Sequence, residues 1–146
     1  MGNPGKRPLP ETRSAPASPR IAPEAPGDLG PVGLAAWGWI WQLGAPWLHP
    51  TLDRPVVLRL CRHYQEIEDW RELLFTDGRL DPAKAMTTGS MGQQVLNPAV
   101  GALRDLEAKT LVIERLIGLN PSDRSRLGIA EEKPASALQE FFSKFG

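Results

Sequence analysis

One cysteine, Cys61, stands among 146 residues, and a single thiol closes no disulfide within the chain. Apolar runs of the ~18 residues that a membrane helix needs are missing as well. No apolar signal region follows the first residues, so the sequence reads as soluble and intracellular. Net charge is a third absence. The 17 basic and 17 acidic residues cancel, which removes the global pull on nucleic acid that a one-sided composition would give. Catalytic and metal-binding clusters are lacking too. Neither histidine, His49 or His63, belongs to a group with metal-ligand spacing, and Cys61 falls on an apolar helical stripe, the place of a buried structural thiol. "GNPGKRP" sets Gly2 and Gly5 before Lys6, but the spacing is not that of a phosphate loop, no Ser or Thr follows the lysine, and no strand precedes it. No nucleotide, cofactor or metal site is expected, and no enzymatic activity.

Proline, by contrast, is abundant and unevenly placed, with eight of the 15 prolines between Pro4 and Pro31. At that density, among Ala, Ser, Gly and Glu, the backbone loses donors and helical angles and has little apolar surface to offset its ordering entropy. Residues 1–33 are therefore expected to form a disordered or polyproline-like arm. Lys6, Arg7, Arg13 and Arg20 face Glu11 alone in its first part. Such an arm either touches a phosphate backbone or is a solvated tail.

From Leu34 the sequence "LAAWGWIWQLGAPWLHP" changes character. Trp37 and Trp41 share one helical face, and Trp39, about 200° round from Trp37 at ~100° per residue, points the other way. A helix apolar on both sides packs one face on its own core and the other on a neighbouring copy, or is wholly covered by its own domain. Gly44 and Pro46 end it. Thr51 or Asp53 can cap the next helix, which suits Pro55 in its first turn. Val57, Leu60, Cys61, Tyr64, Ile67, Trp70 and Leu74 step by three and four along a helix of roughly residues 54 to 75. Its outer side carries Arg54, Arg59 and Arg62 in the N-terminal half and Glu66, Asp69 and Glu72 beyond. The pair is helix-turn-helix-like.

Helical periodicity stops between Thr76 and Leu96, where "KAMTTGSMGQQVL" suggests a short hairpin or ordered loop around Gly89 to Gly92. Asn97 and Pro98 open a third main helix, whose face runs through Val100, Leu103, Leu106, Thr110, Ile113 and Ile117 to Gly118. Asn120 and Pro121 repeat the cap before a short helix with Arg124 and Arg126. Those arginines either meet phosphates or pair with Asp123, Glu131 and Glu132. Pro134 then precedes "ASALQEFFSKFG", which sets Leu138, Phe141, Phe142 and Phe145 on one stripe of a short helix that orders only in a groove. The expected architecture is all-α: a small helical bundle at 34–133, with the arm before it and an interaction tail at 134–146.

"NPGKRPLP" at positions 3–10, the helix pair, the loop ending in "NPAV" and the closing "GLNPSDRSRLG" together resemble the small terminase subunits of tailed bacteriophages. The resemblance runs over nearly the whole chain. Its end motifs are specific as text, and its middle helices match in pattern. It implies a ring-forming homo-oligomer that acts in the host cytoplasm and binds double-stranded viral DNA near the packaging start. It also implies control of a separate large terminase subunit that holds the ATPase and nuclease, and it fixes no catalytic residue. Under it, the candidate DNA contacts are Lys6, Arg7, Arg13, Arg20, Arg54, Arg59, Arg62, Arg124 and Arg126. Trp37, Trp39 and Trp41 are candidates for the subunit interface, and Leu138, Phe141, Phe142 and Phe145 for the large-subunit contact. A stand-alone helix-turn-helix regulator and a pure protein-interaction module are the other readings.

Overall fold

The computed structural model describes residues 21–129. Five helices and two small hairpins follow one another: α1 (Pro31–Leu43), α2 (Arg54–Leu74), β1 (Phe75–Thr76), β2 (Arg79–Leu80), α3 (Pro82–Ala85), β3 (Met86–Thr88), β4 (Gln94–Leu96), α4 (Pro98–Leu116) and α5 (Pro121–Arg126).

Helix α2 is the spine, and both α1 and α4 pack against it. α4 runs antiparallel to α2. Arg71 meets Glu107 at 3.2 Å near one end, the Tyr64 hydroxyl donates to Glu114 at 2.6 Å further along, and Ile117 reaches the cluster around Val57 and Leu60. The apolar stripes of the sequence thus face inward, Val57, Leu60 and Cys61 from α2 and Val100, Leu103 and Thr110 from α4. The buried Thr110 hydroxyl donates to the Leu106 carbonyl at 2.7 Å, so its polar atom is satisfied within its own helix. The core has two parts. One gathers Ala36, Trp37, Ile40 and Trp41 with Trp47, Leu48, Val57 and Ile117, and the other joins Leu74 and Ala85 to Val100 and Leu103.

α1 has the two-sided character expected. Trp37 and Trp41 are buried edge to face, with ring centroids 5.7 Å apart, while Trp39 stays 44% exposed beside Tyr64. Helices leave their first N–H groups without partners of their own. Here α2 supplies the acceptor: Gln65 Oε1 takes the N–H of Val32 at 2.8 Å and of Gly33 at 3.1 Å. Cys61 is fully buried, and burial pushes its thiol up to about 12.

Several expectations need correction. The fold is helix-rich but not all-α, because β1 and β2 form a second antiparallel hairpin besides β3–β4. Its signal was the Asp77-Gly78 pair, whose φ values of 52° and 75° fit the two-residue turn that strand twist favours. Ten residues, 44–53, separate α1 from α2. That is far longer than the 3–4-residue turn of a helix-turn-helix, and α2 is covered by α1 and α4. Part of the expected arm belongs to the core: the Trp37 indole donates to the Pro23 carbonyl at 2.9 Å, and Ala25 and Leu29 pack on the first cluster. Prolines at 23, 26 and 31 fit there because an irregular segment held by side chains needs no backbone ladder. Caps also differ. Asn97 accepts from Ala99 as expected, but Asp53 turns back to accept from His49 N–H at 2.6 Å, and Asn120 donates to Asp123 at 3.0 Å instead of capping α5.

Candidate nucleic-acid interface

Arg54, Arg59 and Arg62 stand on the first three turns of α2, and each has a different environment. The Arg54 guanidinium lies 5.7 Å from the Trp37 ring centroid, a cation–π distance that fixes the start of α2 against α1. Arg62 pairs with Asp28 at 3.0 Å with both side chains more than half exposed, a pair worth at most about 1 kcal/mol in water. Arg59 is exposed and has no ion pair or hydrogen bond among the described residues.

One helical turn after Arg59, His63 sits at the α2–α4 seam, its Nδ1 3.5 Å from Thr110 Oγ1. Lys109 is next to Thr110 in α4. Burial lowers the His63 pKa from its ordinary value, the charges of Arg59 and Lys109 act in the same direction, and Glu66 opposes them. The seam therefore extends the positive region from α2 onto α4. Periodicity alone put His63 on the edge of the α2 stripe, and only the packing brings Lys109 beside it.

The closing turn behaves otherwise. Arg124 Nη1 donates to the carbonyls of Gly118 at 3.1 Å and Leu119 at 3.0 Å, and its guanidinium lies 5.2 Å from the Trp47 ring. These contacts take up carbonyls just past the end of α4, where a helix leaves them without donors. Arg126 is exposed and pairs with Asp123 at 3.4 Å. Of the two alternatives open for this turn, Arg126 thus takes the pair with Asp123. Arg124 takes a third role, as a brace between the end of α4 and Trp47.

The family model described as phage terminase, small subunit, matches residues 35–134. The chain belongs to that family. No curated protein and no solved structure matches it. In this terminase small subunit the matched stretch runs from the first turns of α1 to beyond α5, so α2, α4, both hairpins and the braced end of α4 all lie within the family pattern. The arm cations Lys6, Arg7, Arg13 and Arg20, the acids Glu131 and Glu132, and the tail residues Leu138, Phe141, Phe142 and Phe145 lie outside the described residues. Among the described residues no group of three His, Cys, Asp or Glu could hold a metal ion, and no helix is long and apolar enough to cross a membrane.

Proposed function

We propose that this chain is the DNA-recognition and regulatory component of a viral genome-packaging motor. It assembles with itself into a ring, binds double-stranded viral DNA near the packaging start and directs the large terminase subunit, which does the chemistry. The observation that carries the DNA part is Arg59: an exposed cation at the basic end of α2, unpartnered among the described residues and flanked by Arg62, His63 and Lys109. A phosphate backbone is the partner such a group fits, and counterion release supplies the affinity. Arg54 and Arg62 join it at the cost of weak surface contacts. The arm cluster of Lys6, Arg7, Arg13 and Arg20 adds phosphate contacts from the N-terminal side, and Arg126 is available once it leaves Asp123. Arg124 contributes by holding the turn. The tail stripe of Leu138, Phe141, Phe142 and Phe145 is the contact to the large subunit.

Binding to a duplex from the viral genome end, titrated at several salt concentrations, tests this. Arg59→Ala lowers the slope of log affinity against log salt by about one unit, and the Arg59→Ala, Arg62→Ala pair by about two. Unchanged slopes would remove α2 from the interface. Deleting residues 134–146 leaves DNA binding intact and abolishes stimulation of the large subunit's ATPase, and full stimulation by the truncated chain would rule out the tail contact.

A further inference from the structure

Charge is spread along most of this chain, yet two stretches have none. No Lys, Arg, Asp or Glu occurs from Leu29 to Leu52 or from Ala85 to Leu103. The first contains α1 and the second the β3–β4 hairpin, and each presents apolar side chains to solvent. On α1 the outward residues are Leu34, Trp39 and Leu43; on the hairpin they are Met86, Met91 and Leu96. Surfaces that are apolar, exposed and free of charge mark contacts with other protein.

The hairpin is built to hold its shape. Gly92 N–H donates to the Gly89 carbonyl at 3.0 Å and Gly89 N–H to the Gln93 carbonyl at 2.7 Å, with Gly92 at φ 79°. This is the geometry of a three-residue loop closed by a left-handed glycine. Gln93 Oε1 also accepts from Met91 N–H at 3.0 Å, so the tip is pinned with the Met91 side chain 89% exposed. Met86 and Leu96 are paired directly across the strands and both face solvent. At the base, the Asn97 N–H donates to the Ala85 carbonyl at 2.7 Å, and Ala85 is buried against the Leu74 end of α2. A two-stranded hairpin standing off its own core is marginal in water, and packing on one face is what makes it stable.

The two surfaces do not meet within one chain, since both are exposed. Trp39 lies beside Tyr64, and the hairpin leaves from the Leu74 end, ten residues on and so ~15 Å further along α2. We infer that the β3–β4 hairpin of one copy docks on the outer face of α1, at Trp39 and Leu43 one turn apart, in the next copy. This rests on the proposed self-assembly and names the two surfaces that make it. Each surface is the occupant the other requires. Neither brings a charge to desolvate, and methionine fills irregular space against an indole ring with a favourable sulfur–aromatic contact. Because the surfaces differ and sit at separate places, the contact is heterologous: it repeats head to tail and closes by rotation.

The test uses the full chain and two variants, Trp39→Asp and Met91→Asp, examined by light scattering and native mass spectrometry, with circular dichroism to show that each is folded. Wild type assembles, and each variant alone is a monomer. Mixed one to one, the variants form a heterodimer and nothing larger, because the intact hairpin of the Trp39→Asp chain docks on the intact α1 of the Met91→Asp chain. Leu43→Asp takes the place of Trp39→Asp should the latter unfold. Normal assembly of Met91→Asp, or a mixture that stays monomeric, overturns the hairpin–α1 contact and leaves the assembly reading standing. A monomeric wild type overturns both.

Discussion

The Trp47 indole donates its N–H to the Ile117 carbonyl at 2.8 Å inside the core. Seventy residues of sequence separate them. The bond ties the α1–α2 connector to the end of α4, and the Arg124 guanidinium lies 5.2 Å from the centroid of the same ring. Trp41, one element earlier, is as deeply buried, but its indole nitrogen has no acceptor among the described residues. Trp47→Phe leaves a buried carbonyl unpaired, whereas Trp41→Phe removes a donor that already has no partner. Urea unfolding is expected to show Trp47→Phe less stable than Trp41→Phe by about 1–2 kcal/mol. Equal losses would show that volume alone decides at both positions.

Arg124 and Arg126 separate in the same way. Arg124→Lys keeps the charge but loses the planar group that spans two carbonyls and stacks on Trp47, so a loss of about 1–2 kcal/mol is expected. Arg126→Ala breaks only an exposed pair and stays within about 0.5 kcal/mol of wild type. Thermal melts of the two variants check both. A wild-type melt for Arg124→Lys would mean that the positive charge matters and the brace does not.

Gly118 has φ 75°, and a Cβ there would come within 3.1 Å of the Arg124 side chain and 3.2 Å of Ile129. Gly118→Ala therefore adds steric pressure on the brace to the left-handed backbone cost of about 1–2 kcal/mol. Gly78, at the same φ, meets nothing within 4 Å, so Gly78→Ala carries the backbone cost alone. Gly118→Ala is expected to melt below Gly78→Ala, and the reverse order would be incompatible with close packing at the turn.

His63 gives a pH dependence whose direction follows from its surroundings. Burial first, then Arg59 and Lys109, lower its folded pKa below the ordinary 6.5, with Glu66 opposing. The unfolded chain thus binds the proton more readily. The corresponding stability is present above pH 6.5 and is lost as pH falls through the folded pKa. Comparing unfolding midpoints of wild type and His63→Gln between pH 5 and 8 checks this: wild type loses more stability on acidification, and parallel curves would show that the imidazole is not part of the seam.

Much of this was legible in the residues. The steps of Val57, Leu60, Cys61 and Tyr64, and those of Val100, Leu103 and Thr110, fix two helices and their inner faces. Asn97-Pro98 and Gly118 fix the limits of one of them. The roles of polar side chains were less legible, because those depend on neighbours far along the chain. Nothing in "NPSDRSRLG" says that Arg124 will find carbonyls and an indole ring, and nothing near His63 announces Lys109. The Asp77-Gly78 turn was readable in principle, but its strands are only two residues long, too short to show an alternating pattern.

The Gln65 cap on α1 bears on the order of events during synthesis. α1 is synthesised before Gln65 and the rest of α2, and a helix of 13 residues is marginal by itself. Its first turn acquires acceptors only when α2 has been made and has folded back on it. Until then Trp39 and Leu43 are not held together on one outer face. Nascent chains crowded on one message therefore lack the surface through which finished subunits would join, and association waits for the completed fold.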